Sequence, residues 1–376
     1  MVASYLDALA PVLSQVVEPA AVQVDQQGAF PRASVDALGR AGMLGLVSAR
    51  EVGGGGEGLR AATEVVERLA GACGSTAMVV CMHYAATAVI EAHGPRAVRE
   101  QVAAGRHLST LAFSESGSRS HFWAPVSTAT ANGGGVRLDA AKSWVTSAGE
   151  ADSYVWSSRP LAADGASTIW LVPADTPGLK VAGPFDGLGL RGNASSPIGA
   201  HDVAVPAAAM LGEDGKGDQV MLGIVLGWFS AMSAAMAVGL MEAATSRTVA
   251  HVTATRLEHL DTRLADLATI RAYLARMRIA TDQARALLAD TLAAMEAGRQ
   301  DATPRVLEVK AAAAEAATAV TDRPCGSAAA PRSARRPASS GSSATPGPRP
   351  SWPPPPTPCT TSSAAHCAAS TCSPEG

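Results

Sequence analysis

The densest group of chemically able side chains is Leu111-Ala112-Phe113-Ser114-Glu115-Ser116-Gly117-Ser118-Arg119-Ser120-His121, followed by Lys142-Ser143-Trp144-Val145-Thr146. A loop rich in small hydroxyl residues offers backbone N–H groups and side-chain donors to phosphate or carbonyl oxygens. Side chains two apart on a strand share a face. Trp144 could therefore stack on a flat ring while Thr146 hydrogen-bonds to its edge. A Ser-rich hairpin beside a core tryptophan is the plainer reading of the same residues. His121 is a candidate catalytic acid or base because imidazole titrates near neutrality; a surface histidine is its competing reading. No metal set stands out. Glu258, Asp261 and Asp266 read as a solvated helix face, and His83 and His93 lack further ligands at metal spacing.

Positioning these residues requires a frame, and the chain changes texture twice. Residues 1–107 read mostly as helices. One covers 32–42 after Pro31, with Val35, Leu38 and Ala41 at helical spacing. Another covers 61–72, and a third 85–104 is broken at Gly94-Pro95. Four consecutive glycines at 53–56 predict a loop that approaches another backbone closely. Residues 108–211 carry short strand-like runs at 126–131, 136–140, 153–158, 168–173 and 203–205, with a hairpin turn at 132–135. Residues 212–322 return to helical periodicity at 221–249, 257–298 and 304–322. Leu260, Leu264, Leu267, Ile270 and Leu274 fall three or four apart there. The expected fold is mainly α with a central β domain: an N-terminal α-helical domain, a middle β-barrel or sandwich domain and a C-terminal helical bundle. That order is not a Rossmann arrangement.

Composition narrows the classes further. A net charge of −3 over 376 residues argues against a dedicated nucleic-acid binder. No uninterrupted apolar run reaches the ~20 residues of a membrane span. Residues 1–15 lack the basic start of a secretory signal, so the expected location is cytoplasmic. Residues 323–376 stand apart. They hold 12 of the 24 prolines and four of the six cysteines, with no Leu, Ile, Val, Met, Phe, Tyr, Lys or Asp. Such a stretch cannot bury enough apolar surface to offset its chain entropy, and disorder is expected. Without it only Cys73 and Cys81 remain, as in a reduced cytoplasmic protein.

Taken together, these motifs resemble the acyl-CoA dehydrogenase superfamily through nearly all of residues 1–322. Phe30-Pro31, Leu38-Gly39 and Gly42-Met43-Leu44-Gly45-Leu46 look like its N-terminal helical domain. Phe113 to His121 resembles its T-E-P-x-x-G-S-D loop, and Lys142 to Ala148 its G-x-K-x-W-I-T-N segment. Gly187-Leu188-Gly189-Leu190-Arg191-Gly192-Asn193 resembles its L-G-x-R-x-S segment, and Asp202-Val203-Ala204-Val205-Pro206 the strand closing its β domain. The resemblance implies FAD between the β domain and the bundle, and a homodimer or homotetramer. Phe113 and Ser114 would contact the flavin's pyrimidine end, Ser120 the pyrophosphate, Trp144 the isoalloxazine and Thr146 flavin N5, where the hydride arrives. The implied substrate is an acyl-CoA or acyl-carrier-protein thioester oxidised at Cα–Cβ. The electron-transfer partner is left open.

The chain also departs from that pattern. Ser114, Ser116, Arg119 and His121 stand where the family has Thr, Pro, Gly and Asp. The position of a catalytic carboxylate on the first bundle helix falls at about Trp228-Phe229, with Ser230 where an Arg is common, so the catalytic base is unassigned. The family's R-K-x-F-G-K loop, which reaches the partner subunit's FAD, is expected to be deleted, with residues 250–256 running straight into the next helix and Arg256 as its substitute. A flavin-dependent monooxygenase on the same fold, taking FAD or FMN, needs no such base and is the alternative. A non-catalytic protein is the third possibility. The composition of 323–376 is what GC-rich DNA yields out of frame. Read one base over from Ala338, with the Trp352 codon fixing the phase, it regains helical periodicity and an R-D-A-R element that the family carries near this end. That reading has Ala at the family's usual C-terminal Glu.

Overall fold

The computed structural model describes residues 4–119 and 121–326, with side chains through residue 322. The first helical group comprises α1 (Tyr5–Val12), α2 (Glu18–Gln27), α3 (Arg32–Arg40), α4 (Leu59–Ala72), α5 (Gly74–His93) and α6 (Arg96–Ala103), with a π turn at Leu13–Val17. Local chemistry sets several ends. Ser4 and Asp7 form a capping box at the start of α1. Gly28, at φ 62°, ends α2 in the left-handed conformation. The glycine run makes the expected close approach. A Cβ at Gly54 would lie 2.3 Å from Ser48 O, and one at Gly55 2.6 Å from Leu46 O.

The central region forms two four-stranded sheets. One has the order β1 (Ser109–Ala112), β4 (Ser153–Ser158), β5 (Thr168–Pro173), β8 (Met210–Leu211), with β1 and β4 parallel. The other has the order β2 (Thr128–Asn132), β3 (Gly135–Val145), β7 (Ser196–Pro206), β6 (Leu179–Val181), antiparallel throughout. Neither sheet closes on itself, so the barrel alternative does not hold. β4 and β5 span the predicted residues and pair Trp156 with Trp170. Gly133 and Gly134, at φ 56° and 99°, form the predicted hairpin turn. β1, β6 and β8 were not predicted, and β3 and β7 run longer than predicted. Half of their extra residues are Ala, Ser, Lys and Gly, which hydrogen bonding to neighbouring strands recruits despite weak strand preference.

The chain then returns to helix. α7 (Gly217–Val220), a π turn at Met221–Val225 and α8 (Leu226–Ala254) form one long rod, followed by α9 (Ala268–Glu296) and α10 (Ala302–Gly326). The rod and α5 are long and apolar enough to cross a membrane, but 61% and 78% of their most apolar windows are buried inside the fold. Buried residues of both belong to the main hydrophobic core.

The predicted helix from 257 is corrected. Between α8 and α9 the chain forms a small hairpin of β9 (Arg256–Leu257) and β10 (Thr262–Arg263), turned at Asp261 with φ 46°. The inter-helix loop is therefore present rather than deleted. Short-range bonds favour it over helix: Arg256 pairs with Asp261 at 2.6 Å, and Arg263 N donates to Asp266 Oδ2 at 2.7 Å. Leu260 and Leu267 are consequently exposed, and only Ile270 and Leu274 of the predicted stripe lie on an α-helix.

Candidate functional site

The Ser-rich loop begins where β1 leaves its sheet. Phe113 is buried and Ser114 is exposed. Ser143 N donates to Ser114 O at 2.9 Å, and Glu115 bridges to Lys142, so residues 113–115 run beside 142–144 and tie the two sheets together. The structure thus joins the two motifs that sequence placed apart.

β3 loses register between Lys142 and Val145. Within that bulge Trp144 adopts φ 56° and its side chain is 69% exposed. A bulky residue in the left-handed region costs about 1 kcal/mol or more, so the backbone here is held by its surroundings. The indole lies edge-on to Phe185, with centroids 6.4 Å apart. Thr146 follows the strand's end and is buried, its Oγ1 3.0 Å from Ser195 Oγ. Simple alternation therefore does not place Trp144 and Thr146 on one face. The bulge breaks the two-residue period and leaves one exposed and the other buried.

The segment after Thr146 is fixed by the glycine-rich stretch. Ser147 N and Ala148 N donate to Asn193 O and Ala194 O at 2.9 and 3.0 Å. Gly192 N donates to Ser75 Oγ at 3.1 Å, and a Cβ at Gly192 would lie 2.5 Å from Ala29 O. That contact locks the β region against the first helical group. Two buried polar atoms here have no hydrogen-bond partner: Ser147 Oγ and Arg191 Nε.

Other predicted residues fall elsewhere. His121 is exposed and packs edge-on to Trp123 at 5.3 Å. Arg256 sits on the β9–β10 hairpin with Asp261, and no bond among the described residues links it to the 113–147 group. Ser120 lies outside the described residues, as does the chain beyond residue 326. Trp228 and Phe229 are half-buried on α8, and Lys310 Nζ stands 4.8 Å over the Phe229 ring. No carboxylate occupies those positions. Cys73 and Cys81 are both buried free thiols.

The sequence reading missed a buried ion pair. Lys142 Nζ donates to Glu115 Oε1 at 2.5 Å, and both side chains are essentially inaccessible. Burial pulls the Lys142 ammonium down to about 8, against the raising effect of Glu115. Burial alone would raise the Glu115 carboxyl, but Lys142, Ser127 and the Val126 N–H together hold it below the usual range. The available signal was parity: Lys142 lies an even number of residues from the inward-facing Val136 and Leu138.

His83 was also passed over. It is fully buried on α5, with Nε2 3.0 Å from Leu44 O, and its Nδ1 accepts from Ser109 N at 3.2 Å. That arrangement requires the neutral imidazole with its proton on Nε2. Burial pushes His83 down to about 4, against the bond to Leu44 O, which favours the protonated ring.

Three consecutive stretches match family descriptions. Residues 4–105 match the acyl-CoA dehydrogenase N-terminal domain, 110–203 its middle domain and 215–325 its C-terminal domain. The chain is 30% identical over 311 residues to the mitochondrial short-chain specific acyl-CoA dehydrogenase of Bos taurus, covering 81% of this chain and 74% of that one. It is 31% identical over 247 residues to a probable acyl-CoA dehydrogenase of Bacillus subtilis (strain 168), covering 62% of this chain and 64% of that one. Among solved structures, the butyryl-CoA dehydrogenase of Megasphaera elsdenii superposes with a TM-score of 0.78 at 23% identity, over 84% of this chain and 85% of that one. That last likeness concerns the fold.

Proposed function

The chain belongs to the acyl-CoA dehydrogenase family, and from that premise we propose that it oxidises the Cα–Cβ bond of an acyl-CoA or acyl-carrier-protein thioester with bound FAD. The observation that carries the reading is Trp144, held exposed on a left-handed bulge beside the Ser114 loop. The surrounding residues fit a flat ring with polar edges. Trp144 supplies an uncovered aromatic face; the Ser147 hydroxyl, three residues on, is buried and unpaired, as is Nε of Arg191, two residues before the Asn193 carbonyl that accepts from Ser147 N. A bound flavin supplies the hydride acceptor.

Phe113 and Ser114 would border the ring's pyrimidine end, and Trp144 would exclude water from one face. Thr146, whose hydroxyl is oriented by Ser195, would hydrogen-bond at N5. Ser120 and Arg256 carry over from the family pattern as contacts to the dinucleotide, Arg256 reaching across a homodimer or homotetramer. No residue is assigned as the α-proton base, because positions 228–230 carry Trp, Phe and Ser. His121 is the remaining candidate. The oxygen-activating alternative has no support from the curated relatives described above, which are named as dehydrogenases.

The test is anaerobic titration of the purified, flavin-loaded protein with short-chain acyl-CoAs. Bleaching of the flavin absorbance is expected. A protein that carries no flavin, or one whose flavin stays oxidised with every acyl thioester, would overturn the reading. We further propose that the protein acts in the cytoplasm, and that residues 323–376 are read out of frame. Resequencing the gene around codons 322–326 is expected to show an insertion or deletion, and an intact frame in every read would refute it.

A further inference from the structure

We propose that the buried Glu115–Lys142 pair is a positioning couple that closes the 116–126 loop and fixes the Trp144 bulge, so that tight binding of a flavin dinucleotide depends on it. The proposal rests on the flavin reading above and adds residues to it.

Glu115 stands at one foot of the loop, and the other foot is bound to its carboxylate. Oε2 accepts from Val126 N at 2.7 Å and Ser127 N at 3.1 Å, and Oε1 accepts from Ser127 Oγ at 2.6 Å. The fourth bond to that carboxylate comes from Lys142. The Lys142 ammonium also donates to Ser157 O at 2.7 Å and Ser157 Oγ at 2.9 Å on β4, and lies 5.2 Å over the Trp156 ring. One cluster therefore joins both ends of the loop, β3 and β4.

Nothing in this cluster points at solvent, so neither residue is placed to touch a ligand. Its influence runs through what it holds. Lys142 is the last β3 residue in register before the bulge. The Ser143 N–H that follows bonds back to Ser114. Moving Lys142 therefore moves Ser143 and Trp144, and releasing Glu115 frees both feet of the hydroxyl-rich loop. A fully satisfied buried network of this kind specifies one geometry, and a half-satisfied one does not.

The test uses two variants. Glu115→Gln keeps shape and removes the charge. Glu115→Leu with Lys142→Met removes the polar network while keeping an apolar fill, a change that buried ion pairs tolerate without unfolding. Two readouts apply to each: the rate of tryptic cleavage at Arg119, which is exposed within the loop, and the dissociation constant for FAD by flavin fluorescence. Both variants are expected to retain a cooperative thermal transition. Cleavage should be about tenfold faster and FAD binding about tenfold weaker, roughly the effect of losing one strong hydrogen bond. Cleavage unchanged in the folded double variant would overturn the proposal, whether or not flavin binds. Faster cleavage with unchanged FAD affinity would overturn its link to the flavin. If the parent protein binds no FAD, the flavin reading and this link fall together, while the cleavage rates still decide whether the pair closes the loop.

Discussion

Gly239→Ala should destabilise the protein by about 2 kcal/mol, although alanine is the better helix former. Gly239 lies on α8 where it crosses α4. A Cβ there would sit 2.1 Å from Glu67 O and 2.9 Å from Ala70 Cβ. Real Cβ contacts essentially never fall under 3.0 Å, so the shortfall is about 0.9 Å. The obstructing atom is a backbone carbonyl that cannot rotate aside, so the helices must separate. Overpacking of this kind costs about 1–3 kcal/mol, and a rigid obstruction places it at the upper end. The helix-propensity gain offsets about 1 kcal/mol. Gly223 provides the internal control: it lies in the same rod and a Cβ there meets nothing within 4 Å. Gly223→Ala should therefore stabilise by about 0.5–1 kcal/mol. Urea unfolding with unchanged m-values measures both. A Gly239→Ala variant as stable as the parent would refute a tight α4–α8 crossing.

Further outcomes follow from the site and its supports. His83 titrates at about 4 in the fold and at 6.5 when free, so below pH 6.5 the unfolded chain takes up a proton that the fold refuses. Its stabilising effect is complete above that pH and falls by about 3 kcal/mol as pH drops to 4. The parent should therefore lose more stability than His83→Gln between pH 7 and 4.5, and parallel losses would count against it. Trp144→Ala should leave the thermal midpoint nearly unchanged, because the side chain is mostly exposed, while weakening FAD retention on gel filtration; equal retention would remove Trp144 from the flavin contacts. Asp214 accepts from the N–H groups of Leu161, Ala162 and Ala163 and from Thr168 Oγ1. Asp214→Ala should lower stability by about 1–3 kcal/mol, read by thermal unfolding.

The sequence by itself determined most of the architecture. Helical spacing located α3 and α4, the paired Trp-containing runs marked β4 and β5, and the Gly133-Gly134 turn was legible because only glycine readily adopts its backbone. The ordered motifs from Phe113 to Asn193 also carried the resemblance to the family that the three domain matches bear out. Tertiary structure decided the rest. The 257–267 stretch has helical spacing but forms a hairpin, since the bonds of Arg256, Asp261 and Asp266 outcompete periodicity. Trp144 and Thr146 read as strand neighbours, yet a bulge separates them, and a bulge is set by what the partner strands can pair. The Glu115–Lys142 couple lies 27 residues apart in the chain. Only the fold could show that these charges share one buried point, because the free energy of burying them depends on neighbours that the local sequence does not contain.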